Sequence, residues 1–302
     1  MRASRIWSLA LVGVTAIWGW SFVEKHSLQG MAASTLNAWT FLIAALTLLP
    51  FAIRPVAQLP LRDWGEGLLA GSVLFVAFGL QTKGIPLTTP SNAGFITGLA
   101  VVFTPLLIFI STREVPKRGQ MIGAGIALVG LGLLSASDFS VHYGDLLILC
   151  CAVFFAIHIV VLGRGRFSGS PLAFAFVQLV TVGVLSLAWA GYSGEMRMLA
   201  SQSETVSVVT LAIFSTGLAY LIQTKAQSVI SPQKVALTLL FEPLFSGVFG
   251  YLLAGDRLTI VNLVGAALIM IGLTLSEIGS NFVHGSVLRV RESRMASSGK
   301  GR

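Results

Sequence analysis

Two stretches decide the fold: QTKGIPLTTPSNAGF at residues 81–95 and QTKAQSVISPQKVAL at residues 223–237. The Gln-Thr-Lys triplet occupies the same place in both, and Thr89-Pro90 recurs as Ser231-Pro232, each 142 residues later with no gap. The duplication indicates two similar halves. In a hydrophobic chain such halves are typical of membrane transporters, in which they move against each other around a central site.

The composition places this chain in a membrane. Hydrophobic residues make up 55% of it and charged residues 11%, whereas a soluble globular protein carries about 25% charged residues. The formal net charge is +8, but the basic residues lie in short connections and in the C-terminal tail. Because no basic run is interleaved with aromatic residues, the pattern excludes a nucleic-acid-binding surface.

The apolar runs predict ten membrane-spanning helices, because each run is uninterrupted and close to the ~20 residues that a span requires. Barrel strands would alternate about every second residue instead. A secretory signal peptide is excluded at the N-terminus, because the first run is too long and has a counterpart in the second half. The predicted spans are 6–23, 34–53, 66–85, 91–110, 118–136, 144–162, 171–191, 206–229, 234–254 and 259–279.

The distribution of Lys and Arg predicts the orientation. If the N-terminus is cytoplasmic, sixteen basic residues fall on the cytoplasmic side and four on the other, namely Lys25, Lys83, Arg197 and Arg257. The positive-inside rule therefore places both termini in the cytoplasm.

Five helices per repeat give the two halves opposite orientations. We expect an all-α membrane protein built of an inverted pair of five-helix repeats, residues 1–140 and 141–280. A disordered cytoplasmic tail is expected at residues 281–302.

Several motifs carry a resemblance to a known family. They are AIWG at 16–19, TPSNAGF at 89–95, FEPLF at 241–245, Gly255-Asp256, and the glycine-bearing helix from Gly265 to Gly272. In order and spacing they resemble the EamA-type branch of the drug/metabolite transporter superfamily over about residues 5–280. The resemblance implies a ten-helix secondary transporter of a bacterial inner membrane. Family members mostly export amino acids and other small metabolites; others carry drugs, nucleotide sugars or triose phosphates.

The expected function is export by alternating access, from a cavity that the resemblance places among helices 1, 3, 4, 6, 8 and 9. Because few basic residues lie deep in the helices, we favour apolar or aromatic amino acids as cargo. Drugs, nucleotide sugars and phosphorylated solutes remain alternatives. The other expected partners are the lipid bilayer and a candidate coupling proton, in a monomer or weak dimer without a cofactor.

Glu242 and the adjacent Pro243 form the sharpest candidate site. A carboxylate at bilayer depth is costly unless it is paired or hydrated, so it is a functional candidate by default, and proline removes a backbone hydrogen bond and can kink the helix. The alternative is that Glu242 only satisfies freed backbone groups. Pro105 is the matching proline of the first half, offset by four residues, so we expect the two helices to bend at different depths during gating.

Other polar and aromatic residues complete the predicted cavity. Because imidazole titrates near physiological pH, His158 is a candidate proton carrier; the alternative is a neutral histidine that is hydrogen-bonded inside the bundle. The glutamines of both triplets lie about one turn inside the membrane, while Lys83 and Lys225 are expected to snorkel to the interface. The full cavity set is Trp18, Trp20, Phe78, Gln81, Phe95, Phe154, His158, Tyr220, Gln223 and Glu242.

Two features are expected to serve the fold. Asn92 is placed to cap the fourth helix. Gly123 and Gly130, like Gly265 and Gly272, stand seven residues apart on one helix face, which favours close helix packing within the chain or between subunits.

An enzyme or a passive channel is the less favoured class of function. The sequence has no H-E-x-x-H motif and no P-loop. Ser246-Gly247 and His158 hint at an intramembrane serine protease, but residue 244 is leucine where such proteases carry glycine.

Overall fold

The structure is a computed structural model that describes residues 2–113, 118–135, 142–164, 169–229 and 238–275. Within these ranges the regular structure is entirely helical, which confirms the predicted all-α class. The tail at 281–302 and the turns Pro116-Lys117 and Ser231-Pro232 lie outside the described residues.

The described helices are numbered α1 to α12 in chain order. They are α1 (Arg2–Ser27), α2 (Ala33–Ala57), α3 (Leu61–Gly84), α4 (Pro90–Gly98), α5 (Ala100–Thr112), α6 (Arg118–Ser135), α7 (Tyr143–Arg164), α8 (Pro171–Tyr192), α9 (Gln202–Thr210), α10 (Ala219–Val229), α11 (Phe241–Phe249) and α12 (Ile260–Leu275). A 3₁₀ turn at Ile85–Leu87 follows α3, a π-helical stretch at Leu211–Leu218 joins α9 to α10, and a second one at Gly250–Ala254 follows α11.

Seven helical segments of the described chain are long and apolar enough to cross a membrane: 6–27, 33–57, 61–87, 90–110, 143–162, 171–192 and 202–228. Three shorter apolar helices occupy 121–131, 241–254 and 260–275. These segments confirm a multi-pass membrane protein and overlap all ten predicted spans. The remaining parts of the predicted spans 118–136, 234–254 and 259–279 fall partly outside the described residues.

The N-terminus of α4 is covered from both halves of the chain. Thr89 is the N-cap, because its hydroxyl accepts the Asn92 N–H at 3.2 Å. The Asp256 carboxylate accepts the Ser91 N–H at 3.0 Å and the Ser91 hydroxyl at 2.5 Å. The prediction that Asn92 caps this helix is therefore wrong: threonine precedes the first turn, where its hydroxyl reaches the free N–H groups.

Two helix interruptions lie at equivalent positions of the repeat. Leu99 separates α4 from α5, and Leu240 precedes α11; these leucines are 141 residues apart, against the repeat offset of 142. α5 continues through Pro105, so the interruption of the first half lies at Leu99 and not at its proline; bending of the two helices at different depths during gating stays a prediction. Pro243 stands three residues after its own break, where its ring crowds the carbonyl four residues earlier.

The two interruptions pack against each other. A Cβ atom placed on Gly98 would lie 2.5 Å from Cγ of Pro243, so glycine is needed at this crossing. One layer further, a Cβ on Gly94 would overlap the Ser246 side chain, and a Cβ on Gly19 would lie 2.6 Å from Cβ of Phe245. Small residues thus bring α1, α4 and α11 into close contact.

The predicted glycine pairs join α6 to α12 within the chain. A Cβ on Gly130 would lie 2.6 Å from the carbonyl oxygen of Gly265, and a Cβ on Gly272 would lie 2.5 Å from that of Gly123. Each glycine of one helix therefore approaches the backbone of the other at the reciprocal position, as in an antiparallel crossing. The packing role expected for these glycines is confirmed, and their partners lie in the same chain.

Two apolar clusters flank the centre of the bundle. One is built from α4, α5, α7 and α12 around Ile96, Leu99 and Ile269. The other is built from α2, α3, α8 and α10 around Phe41 and Leu179. The space between these two clusters is where the candidate site lies.

The α6–α12 crossing predicts opposite effects for two glycines on one helix. Gly130→Ala places a methyl group against backbone atoms at 2.6 Å and 2.7 Å, and such overpacking costs about 1–3 kcal/mol. Gly125→Ala is the matched control, since nothing lies within 4 Å of its Cβ position and alanine is the better helix former. In thermal melts of the detergent-solubilised protein we expect Gly130→Ala to lower Tm and Gly125→Ala to leave it unchanged or raise it. Equal Tm values for both variants would contradict the crossing.

Candidate functional site

A central cavity opens between the two helix interruptions. It offers about 70 Å³ of space to the centres of water-sized molecules, within about 690 Å³ of atom-free space that includes open solvent. Residues next to both breaks line it, among them Gly98 and Ala100 on one side and Leu239 and Glu242 on the other. Further walls come from α1, α3, α7, the π-helical stretch and α10.

Seven of the ten residues predicted for the cavity line this one space. They come from five separate helices and from both halves of the chain. The seven are Trp18, Phe78, Gln81, His158, Tyr220, Gln223 and Glu242.

The other three predicted residues lie elsewhere. Trp20 packs in an apolar cluster with Leu36 and Leu211. Phe95 is 5% exposed and belongs to the apolar cluster around Ile96. Phe154 is partly buried but does not line the cavity; its neighbour Phe155 does. Consecutive helical residues point about 100° apart, and an apolar run without polar positions does not reveal which of the two faces inward.

Four aromatic rings form one wall of the cavity. Phe78 lies at its centre, with ring centroids 5.3 Å from Phe155 and 6.1 Å from Tyr220. Trp18 extends the wall, 5.6 Å from Tyr220, and its indole Nε1 donates to the carbonyl oxygen of Ser215 at 2.8 Å. Edge-to-face and tilted contacts at these distances stabilise the rings in defined orientations. The wall is therefore a prearranged apolar surface.

Lys25 is the site residue that the sequence analysis missed. The first span was expected to end at Val23, so Lys25 was assigned to the outer connection; α1 instead continues to Ser27. Lys25 is 8% exposed and lines the cavity. The available signal was spacing, because Trp18, Phe22 and Lys25 recur at the i, i+4, i+7 positions of one helix face.

The ammonium of Lys25 has two partners. Its Nζ donates to Oε1 of Gln81 at 2.8 Å and lies 4.7 Å from the ring centroid of Phe78, a cation–π distance. Both partners are neutral. The predicted hydrogen-bonding role of Gln81 is therefore occupied by Lys25 in this arrangement.

Glu242 lies in the first turn of α11, directly after the interruption at Leu240. The positive end of the helix dipole favours a carboxylate there. Glu242 is partly buried and lines the cavity. In the part of the chain that the structure describes, no ion pair within 4.0 Å joins it to Lys25. The cavity thus holds one cationic and one anionic side chain that are separated.

His158 is held by a buried amide. Its Nε2 lies 2.7 Å from Oε1 of Gln178, and the Gln178 amide nitrogen donates to the Phe174 carbonyl at 3.4 Å. Because an amide oxygen only accepts, this arrangement assigns the imidazole proton to Nε2. The arrangement matches the alternative of a histidine hydrogen-bonded inside the bundle, although His158 is also a lining residue of the cavity.

Gln223 lines the cavity and carries a buried acceptor that is not used. The residue is 5% exposed, and its Oε1 has no hydrogen-bond partner among the described residues. A buried acceptor without a donor costs about 1–3 kcal/mol. A hydrogen-bond donor that reached this oxygen would remove that cost.

The remaining candidates lie outside the cavity lining. Lys83 Nζ lies 4.8 Å from the Trp189 ring centroid, and Lys225 borders a separate groove near Trp7. Ser246 is fully buried, and its hydroxyl donates to the Pro243 carbonyl at 2.9 Å. A hydroxyl engaged in this way serves helix packing and is not presented as a nucleophile.

Comparisons with known proteins agree with this architecture. The EamA-like transporter family matches residues 5–136 and 142–277. An uncharacterized transporter of Archaeoglobus fulgidus is 30% identical over 271 residues, covering 88% of this chain and 84% of its own. The uncharacterized transporter YdfC of Bacillus subtilis is 23% identical over 306 residues, covering 95% and 94%. A protein of solved crystal structure shares the fold with a TM-score of 0.66 and 19% identity, over 93% of this chain and 99% of its own.

The cavity wall predicts different thiol reactivity at two isoleucines of α7. Ile159 lines the cavity, whereas Ile148 is fully buried in the apolar core. The free cysteines Cys150 and Cys151 are first replaced by alanine. We then expect Ile159→Cys to react with a small water-soluble methanethiosulfonate and Ile148→Cys to remain unmodified, as measured by mass spectrometry. The reverse order would show that water does not reach this cavity.

Proposed function

Because the chain belongs to the EamA-like transporter family, we propose that it exports amino acids, preferentially apolar or aromatic ones, by alternating access. The observation that carries this proposal is the composition of the central cavity, which combines an aromatic wall with one separated cation and anion. A secondary carrier of this kind needs no nucleotide and performs no covalent chemistry on its cargo.

The anionic side of the cavity suits an ammonium group. Glu242 supplies a carboxylate, and Oε1 of Gln223 supplies an acceptor without a partner. Tyr220 and Trp18 lie close by as π surfaces, which attract cations. An apolar or aromatic side chain of the same cargo would pack on the wall formed with Phe78. A nucleotide sugar would bring two phosphates to a cavity with a single lysine, so it fits less well.

A second candidate function is efflux of amphipathic cationic drugs. The combination of Glu242 with four aromatic rings favours it, because a lipophilic cation needs an apolar surface and one counter-charge. Comparison of amino acids with cationic dyes as cargo separates the two functions.

The transport cycle that we propose uses two inverted five-helix halves, residues 1–140 and 141–280. Three observations support it: two consecutive family matches, reciprocal glycine contacts between α6 and α12, and helix interruptions at equivalent positions. Rocking of one half against the other would open the cavity to each side in turn. During this movement α5 would bend at Pro105 and α11 at Pro243. Each proline lies beyond the interruption of its own half.

Uptake into proteoliposomes tests the function. We expect saturable uptake and counter-flow of radiolabelled apolar or aromatic amino acids. Glu242→Gln should lower uptake by about tenfold, the equivalent of ~1.4 kcal/mol of lost interaction. Glu66→Gln is the control, since Glu66 pairs with Arg62 away from the cavity, and it should retain wild-type uptake. Uptake of nucleotide-linked sugars in place of amino acids would overturn the proposed cargo, and full uptake by Glu242→Gln would remove this residue from the site.

The orientation is proposed from the charge bias: both termini cytoplasmic in a bacterial inner membrane. In a background lacking both native cysteines, a membrane-impermeant maleimide applied to intact cells with a permeabilised outer membrane should label Arg257→Cys and not Arg62→Cys. Both positions are exposed in the structure, so accessibility within the protein does not separate them. Labelling of position 62 alone would invert the proposed topology.

A further inference from the structure

The Lys25 ammonium is incompletely satisfied in its buried position. An ammonium carries three hydrogen-bond donors, and the Gln81 amide oxygen accepts one of them at 2.8 Å. The Phe78 ring covers another side of the group. Among the described residues no carboxylate lies within 4.0 Å of Nζ, so the buried cation shares the cavity with Glu242 but forms no direct ion pair with it.

A buried cation with neutral partners is expensive in a membrane. A structural lysine would be expected to form an ion pair or to extend to the interface. Lys25 does neither, since it is 8% exposed and lines the cavity. A group that remains costly in the empty protein becomes favourable when cargo brings an anionic group into direct contact with it.

We propose that Lys25 binds the carboxylate of the cargo and that Gln81 holds the ammonium in place while the cavity is empty. This inference rests on the proposed amino-acid transport and adds the group that selects for a carboxylate. Glu242 and the free acceptor of Gln223 receive the ammonium of the same cargo. Two opposite charges that do not contact each other therefore select a dipolar molecule over a simple amine or a simple acid.

The charge balance of the cavity favours this cargo class over a phosphorylated one. One lysine and one glutamate give the cavity lining no net formal charge. A zwitterion leaves that balance unchanged on binding, whereas a phosphate group would add about −1.5 to −2 charges. Transfer of an uncompensated charge into this low-dielectric space is unfavourable.

The test compares three probes that share a phenyl ring: L-phenylalanine, phenethylamine, which lacks the carboxylate, and 3-phenylpropionate, which lacks the ammonium. In wild-type proteoliposomes we expect uptake of phenylalanine well above that of the other two. Lys25→Met should reduce phenylalanine uptake by about tenfold or more while phenethylamine uptake stays equal or rises. Lys25→Arg should retain part of the phenylalanine uptake.

Lys83→Met is the matched control. Lys83 also lies over an aromatic ring, that of Trp189, but it does not line the cavity. It should keep wild-type uptake and wild-type selectivity among the three probes.

Gln81→Met is an independent test, because it should improve the binding of phenylalanine where Lys25→Met weakens it. Removal of the amide frees the Lys25 ammonium from its partner in the empty state, so the cargo carboxylate no longer competes with it. We expect a lower KM for phenylalanine and an unchanged KM for any phenethylamine uptake. Size-exclusion profiles and thermal melts of each variant establish that the protein is folded.

The outcomes separate the two proposals. Wild-type uptake of phenylalanine that is unchanged in Lys25→Met would overturn the role of Lys25 and leave amino-acid transport intact. Equal wild-type uptake of phenylalanine and phenethylamine would also overturn carboxylate selection. Uptake of none of the three probes, nor of leucine, would overturn the proposed function itself and this inference with it.

Discussion

The constraint on which the rest of this structure depends is the need to satisfy every backbone polar group within hydrocarbon. A chain can interrupt a helix at that depth only where other protein groups or a cavity cover the break. Here the interruptions at Leu99 and Leu240 cover each other through the Gly98–Pro243 contact. The central cavity lies beside these breaks, so the same constraint determines where the bundle can hold a cavity with polar residues in its lining.

The same requirement for hydrogen-bond partners applies to the polar side chains in the cavity. His158 is satisfied by Gln178 and Trp18 by the Ser215 carbonyl, so these groups are fixed before any cargo arrives. Lys25 and Gln223 each keep unused hydrogen-bonding capacity. Fixed groups define the shape of the cavity, and under our proposal the incompletely satisfied groups select the cargo.

Much of this architecture could be predicted from the sequence, because a membrane-spanning helix is recognised from the length and apolarity of one continuous run of residues. Long apolar runs predict helices, and an isolated Glu242 or Gln223 within such a run is conspicuous. In an entirely apolar run the sequence does not show which helix face points toward the cavity. Phe154 was therefore predicted to line the cavity in place of its neighbour Phe155. Lys25 was missed for another reason: a charge near the expected end of a span is ordinarily a residue of the interface.

The π-helical stretch at Leu211–Leu218 has a mechanical consequence. A π turn holds about one residue more than an α turn, so the stretch contains about one residue more than α-helical geometry would accommodate over the same length. If it reverted to α geometry, the following part of α10 would turn by about 100° around its axis. Tyr220 and Gln223 would leave the cavity together, and the Ser215 carbonyl would be withdrawn from Trp18. A single local change in helical winding would thus remove the α10 side chains from the cavity while α1, α3 and α7 stay in place.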